Sequence, residues 1–201
     1  MGKQLSAFLR QTKKKKLEEI CFDDNAVSEK IANSYLFKQY TNDQFSEYDF
    51  YICLGYKQLA LKNKIAKELK TMGRNLPAYV HPSCFINPSA TVEAGCILYP
   101  QCNIDQNVIL KEGVLLNNSA IISHDSVIGK HTFIAPGAVV CGNVKLGEQC
   151  FVGAGTIISN GIEIGDKVIT GIGSVVTTDI PSDVSVIGNP ARILNTKIEL
   201  R

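Results

Sequence analysis

The sequence has little that would draw it to a polyanion or a lipid. Twenty-one Lys and Arg against 19 Asp and Glu leave a formal net charge of only +2, so no global electrostatic attraction to nucleic acid or an anionic membrane is expected. No apolar run approaches the ~18 residues of a membrane span. The N-terminus shows no apolar stretch followed by a small-residue cleavage site, so no secretory signal is expected. The seven cysteines are odd in number and include no C-x-x-C pair. In a chain of 201 residues this predicts reduced, buried thiols in a cytoplasmic compartment rather than a disulfide framework. Histidine is also scarce: His81, His124 and His131 are the three in the chain, leaving few candidates for a neutral-pH base. What remains is ordinary globular composition, 45% hydrophobic and 20% charged, enough for one large domain or two small ones.

What the chain does have is a period. Stepping by six from Val80 meets Ile86, Val92, Leu98, Ile104, Leu110 and so on to Val176; sixteen of the seventeen positions are Ile, Leu or Val, and the other is Thr170. Four residues after each aliphatic the chain is small or β-branched, as at Cys84, Ala90, Cys96, Ala120, Ser126, Thr132, Ala138 and Cys150. Neither an α-helix nor an ordinary strand has period six. A triangular coil of three short strands does, with each six-residue side turning one aliphatic and one small residue inward. Three sides, or 18 residues, close a coil, and stacked coils pair as parallel strands. The pattern therefore predicts a mainly β protein built as a left-handed parallel β-helix. Cys84, Cys96, Cys102 and Cys150 fall on the small inward position and are expected to pack rather than ligate. The glycines that follow many aliphatics, such as Gly129, Gly147, Gly153 and Gly165, are expected to permit the turn geometry.

Residues 1–79 lack this period. Leu5, Phe8, Leu9 and Thr12 share one helical face, predicting an amphipathic helix over roughly 3–17, with Lys13 to Lys16 as its solvated end. Strands are expected at Glu19 to Phe22, closed by Asp23 and Asp24, and more clearly at Tyr48 to Leu54. Leu61, Ile65, Leu69 and Met72 then repeat at helical spacing, with Gly73 as the stop. Strand, helix, strand, helix implies a small α/β, Rossmann-like unit. The expected domains are 1–76 and 77–201, the second ending in a closing segment after Pro181.

Candidate chemistry centres on Ile122-Ser-His-Asp-Ser-Val-Ile-Gly129. The hexad register turns His124 and Asp125 outward. A carboxylate beside an imidazole can fix its tautomer and raise its basicity, and acyl transfer needs such a base plus a donor for the oxyanion. His81 and His131 are read as structural and exposed coil residues respectively. His124 and His131 show no recognisable metal-ligand spacing, so no metal is expected.

This repeat resembles the hexapeptide-repeat acyltransferases. Within them, the run from Asn117 to Gly129 resembles the segment that carries the catalytic histidine in nucleotide-amino-sugar N-acetyltransferases and the related sialic acid O-acetyltransferases. Residues 134–147, the segment Val186-Ile-Gly-Asn-Pro-Ala-Arg192 and Tyr48-Asp-Phe-Tyr-Ile-Cys-Leu-Gly55 continue the likeness, which covers about residues 19–194.

The resemblance implies a homotrimer, with acetyl-CoA lying between β-helices of adjacent subunits and no metal. It implies that His124 is the general base toward a sugar amine, Asp125 its orienting partner, and the Gly142 N–H the donor to the thioester oxygen. By the same likeness Ala154, Gly171, Gly173 and Arg192 would line the CoA arm along with Gly142. Asp23, Asp24, Leu54, Gly55 and Tyr56 would hold the nucleotide of the sugar donor. Relatives usually begin with a strand and a glycine-rich phosphate loop. Here Met1-Gly2-Lys3 stands where that loop would end, implying a 1–76 domain without the first strand and loop. Relatives also often carry a second histidine where this chain has Phe133.

The activity so implied is acetyl-CoA-dependent N-acetylation of a nucleotide-linked 4-amino-4,6-dideoxy sugar. Sugar O-acetylation is the same-family alternative, and a non-catalytic trimeric scaffold the alternative of another class.

Overall fold

The computed structural model describes residues 2–12 and 19–194. Seventeen two-residue strands, from Tyr79–Val80 to Val175–Val176, recur every six residues. The second residue of each strand is one of the aliphatic positions of the period. They stack into three parallel sheets, the faces of a left-handed β-helix. The first face runs from Tyr79–Val80 through Phe133–Ile134 to Ile169–Thr170 and the second from Phe85–Ile86 through Ile121–Ile122 to Val175–Val176. The third runs from Thr91–Val92 to Glu163–Ile164. Register follows the 18-residue coil: Ile97 faces Leu115, and Leu115 faces Phe133.

From Leu98 onward every inward aliphatic position, Thr170 included, is at most 4% exposed. Apolar burial is thus spread evenly along the stack rather than gathered in one centre. The small inward residues carry a second regularity. Cys84, Cys96, Cys102, Cys150, Ser126, Thr132 and Thr156 each donate to the carbonyl 15 residues later, at 2.8–3.2 Å. Thiol and hydroxyl do the same job, satisfying a carbonyl inside a narrow corner. Burial pushes the Cys96 and Cys150 thiols up to about 12, so they stay neutral donors.

The corner glycines have a different role from the one the sequence suggests. Gly129, Gly147, Gly153 and Gly165 are not in the left-handed region. A Cβ on Gly147 would lie 2.5 Å from the backbone of Gly165, and one on Gly153 would lie 2.6 Å from the Thr170 carbonyl oxygen. They are there because adjacent coils touch. The left-handed residue of each corner falls three positions after the aliphatic, at Gly95, Gln101, Asn107, Gly113, Ser119, Asp125, His131 and onward to Gly173, with φ between 55° and 71°. Glycine tolerates that geometry best, followed by Asn, Asp and His.

The stack closes with Ser185–Gly188, which pairs in parallel with Ile169–Thr170 and antiparallel with Ala191–Ile193. Ile180, Val186 and Ala191 pack into the core there.

The N-terminal region is built from α1 (Gly2–Thr12), β1 (Cys21–Phe22), α2 (Asp24–Ser28), β2 (Ser34–Tyr35) and α3 (Leu59–Thr71). β1 and β2 are parallel. The expected residues 13–17 of the first helix, the Lys13 to Lys16 run and the Thr12 side chain lie outside the described residues.

The outward positions of the first face, Tyr79, Ile97, Leu115 and Phe133, are buried under α1 and α3 through Leu5 and Leu59. Phe8 meets His81 and Tyr99 edge-on, with centroids 5.0 and 5.5 Å apart, so His81 is a packing residue.

Two expectations fail in this region. Tyr48 to Leu54 is not a strand; its one bridge among the described residues is Asp49 to Asn75. The alternation that suggested a strand is real, because Phe50, Ile52 and Leu54 face α3 while Tyr51 and Cys53 face the β-helix. An extended segment sandwiched on both sides shows period two without needing a ladder. The buried stripe of α3 also differs from the expected one. It is Leu59, Lys62, Ile65, Ala66 and Leu69, and Met72 is exposed.

Candidate active site at a coil corner

His124 follows the strand Ile121–Ile122, at the corner between the second and third faces. The next residue must take the left-handed turn conformation, and Asp125 does so with φ 57°. That bend places its carboxylate beside the preceding ring: Asp125 Oδ2 lies 2.9 Å from His124 Nδ1. One coil earlier, Asn107 donates from Nδ2 to Asp125 Oδ1 at 2.9 Å. The Asn107 and His124 hydrogen bonds together hold the Asp125 carboxyl below its ordinary range, so it is ionised at neutral pH. A carboxylate accepts, so Nδ1 carries a proton, and in the neutral ring Nε2 is the accepting nitrogen.

Gly142 sits one coil later in the same corner. A Cβ there would lie 2.5 Å from His124 Nε2, so the absence of a side chain makes room for the imidazole. The Gly142 N–H donates to Asn160 Oδ1 at 2.9 Å. Asn160, another coil on, was not singled out by sequence, although its 18-residue spacing from Gly142 places it in this column.

The remaining residues implied by resemblance do not join this corner within one chain. Ala154, Gly171 and Gly173 lie at the corner between the first and second faces. Gly171 is buried where a Cβ would lie 2.7 Å from the Ile187 side chain, and Gly173 is exposed in the left-handed region with φ 68°. Arg192 lies on the closing strand Ala191–Ile193. Between the two corners runs the second face, whose outward residues Phe85, Ile121 and Ile157 are exposed.

The N-terminal residues are only partly gathered. Leu54 and Phe22 share one apolar cluster. Asp23 caps α2, accepting from Asn25 N at 2.9 Å and Ala26 N at 3.4 Å. Asp24 accepts from Phe37 N at 2.7 Å. Gly55 precedes the short helical turn Tyr56–Gln58 that leads into α3. Tyr56 packs on Phe151 and Phe133, centroids 4.6 and 5.6 Å away, and Ala154 borders the same cluster. Phe133 is therefore part of the seal between the N-terminal region and the β-helix.

His131 is not the exposed coil residue expected. It is 2% exposed and so close to Gly113 that a Cβ there would collide with Nδ1. Beside it is Lys62, also 2% exposed, whose Nζ donates to the Gly113 carbonyl at 2.6 Å. Burial, with the Lys62 charge adding to it, pushes His131 down to about 4, and burial pushes Lys62 down to about 8.

Among the described residues no three metal-ligating side chains converge, and no helix is long and apolar enough to cross a membrane.

Comparison with known proteins adds to this geometry. A family model described as the GMPPB C-terminal domain matches residues 80–178. No curated protein matches. Among solved structures, the acetyltransferase domain of PglB from Neisseria gonorrhoeae FA1090 is 25% identical over 95% of this chain and 92% of that one, with a TM-score of 0.80. PerB from Caulobacter crescentus, solved with CoA and GDP-perosamine, is 28% identical over 72% of this chain and 69% of that one, with a TM-score of 0.70. WeeI from Acinetobacter baumannii AYE shares the fold, at 24% identity over 96% and 94% of the two chains and a TM-score of 0.80. By its six-residue period, its coils and these likenesses, the chain resembles the hexapeptide-repeat acyltransferases of the left-handed β-helix type.

Proposed function

We propose that this enzyme transfers the acetyl group of acetyl-CoA to the amino group of a nucleotide-linked 4-amino-4,6-dideoxy sugar. The observation that carries the reading is the His124–Asp125 pair, which engages Nδ1 and leaves Nε2 beside the Gly142 backbone. The PglB domain's description as an acetyltransferase and the CoA and GDP-perosamine held by PerB support donor and acceptor class.

In the proposed step the amine lone pair attacks the thioester carbonyl carbon, and the carbonyl π pair moves to oxygen. His124 Nε2 takes a proton from the nitrogen as the tetrahedral intermediate forms. Collapse re-forms C=O and breaks C–S, and the departing thiolate takes the proton back from the imidazolium. Asp125 steadies the imidazolium meanwhile, and the Gly142 N–H faces the developing oxyanion.

A homotrimer completes the reading. His124 and the CoA-arm residues Ala154, Gly171 and Gly173 lie at two different corners of one chain. Apposing the apolar second face of one subunit to a neighbour would bring opposite corners together, as a cyclic heterologous contact requires. The N-terminal residues Asp23, Asp24, Leu54, Gly55 and Tyr56 are proposed to hold the nucleotide, and Arg192 the distal CoA arm. A cytoplasmic setting belongs to the same proposal.

The test is a panel of nucleotide-linked amino and hydroxyl sugars with acetyl-CoA, following CoA release. Turnover confined to amino acceptors is expected. Activity on hydroxyl acceptors alone would replace N- with O-acetylation, and none on any acceptor would favour a scaffold. Subunit sharing has its own readout. Mixed trimers of His124→Ala and Gly173→Asp chains, each inactive alone, should recover about a quarter of wild-type activity, since half the sites draw a sound histidine and half of those a sound donor corner. No recovery would place both residues in single-chain sites.

A further inference from the structure

The Gly142 N–H is the group that must meet the acyl oxygen, yet it is already engaged. In this corner the next backbone N–H is held by the coil before it: Asn143 N bonds the His124 carbonyl and Gly161 N bonds the Gly142 carbonyl, at 2.9 and 3.0 Å. The Gly142 N–H takes a side chain instead, the Asn160 carboxamide oxygen at 2.9 Å. Gly142 is buried, whereas Asn160 is exposed. A buried N–H left without an acceptor is costly. The Asn160 side chain is free on its solvent side to leave.

We propose that Asn160 is a placeholder for the acyl oxygen: its Oδ1 holds the Gly142 N–H until the thioester carbonyl displaces it, so that Asn160 sets how far acetyl-CoA is preferred over free CoA. This rests on the acetyl-transfer reading above. The exchange replaces one neutral amide hydrogen bond with another, so donor binding gains little there in the ground state. The gain comes when the carbonyl oxygen becomes an anion and the bond becomes charge-assisted. Free CoA has no carbonyl at that point and leaves the Asn160 bond intact. Asn160 is a positioning residue on this account, because it acts through the Gly142 N–H.

The experiment is calorimetric binding of acetyl-CoA and of CoA, without acceptor, to wild type, Asn160→Ala and Asn160→Asp. Removing the placeholder should tighten acetyl-CoA about three- to tenfold, the worth of one intramolecular hydrogen bond, with CoA affinity unchanged. Asn160→Asp, whose carboxylate holds the N–H harder, should shift the acetyl-CoA to CoA preference the opposite way and lower kcat. A purely structural role would move both ligands together. If Asn160→Ala failed to fold, Asn160→Ser, too short to reach, would serve in its place. An unchanged preference in variants that bind both ligands overturns the placeholder and leaves the acetyl-transfer reading standing. Wild type that binds neither ligand overturns both.

Discussion

His124→Ala is expected to lower kcat by about 10²–10⁴-fold, the usual worth of a positioned general base, with little change in acetyl-CoA affinity. The argument is geometric. Nδ1 is committed to Asp125 at 2.9 Å, so Nε2 is the nitrogen left to accept a proton, and it stands over the Gly142 backbone. The side chain is 45% exposed, so its removal creates no cavity and should leave the melting temperature close to wild type. Loss of turnover in a folded, CoA-binding variant would then report the base alone. His124→Asn, which keeps a polar group without a titratable nitrogen, should be equally impaired. Unchanged turnover in either variant would remove His124 from the mechanism. Asp125→Asn should lose less, because the imidazole stays in place while its tautomer and its protonated form lose support.

The β-helix was legible because every hexad obeys the same local constraint, so seventeen repetitions outweigh any single ambiguous residue. Thr170 illustrates this, since its place in the series predicted burial that its hydroxyl did not. His124 and Asp125 were legible as a pair because their position after an inward aliphatic, at Ile122, determines which way they point.

Other features follow contacts that adjacent positions in sequence do not encode. Nothing near His131 or Lys62 in sequence says that α3 packs over that corner. The lysine belongs to the buried stripe of α3, beside the expected Leu61, Ile65, Leu69 and Met72 positions, because its amine reaches the Gly113 carbonyl while its stem packs. Tyr48 to Leu54 misled for a related reason. Period two reports which sides are covered, not what pairs with the backbone. The glycines after aliphatics were correctly singled out and wrongly explained, since a forbidden Cβ contact with the next coil leaves the same sequence mark as a left-handed turn. Ala154 and Gly173, proposed for the donor half of the site, lie at a different corner of the chain from His124, so only the resemblance groups them with it.

The buried His131 leads to an expected acid instability that does not involve catalysis. Its pKa falls from an ordinary value near 6.5 to about 4, chiefly because burial disfavours the charged ring. Around it stand Lys62, Lys67, Lys130 and Glu112, of which Glu112 opposes the shift, and Lys70 engages Glu112 at 2.8 Å. The unfolded chain therefore binds a proton that the folded chain refuses between about pH 6.5 and 4, and stability falls with pH through that window. The loss attributable to His131 between pH 7 and pH 4.5 is on the order of 2 kcal/mol from a shift of this size. Carboxylates held below their ordinary range, Asp125 among them, also lose stability on acidification, so wild type alone cannot isolate the histidine. His131→Asn can: asparagine tolerates the left-handed φ of 57° and does not titrate. It will cost stability at neutral pH through lost packing, but the drop between pH 7 and pH 4.5, read by urea unfolding, should be smaller than in wild type by on the order of 2 kcal/mol. An equal drop in both proteins would mean that His131 is protonated in the folded state, and that its corner opens to admit solvent without unfolding.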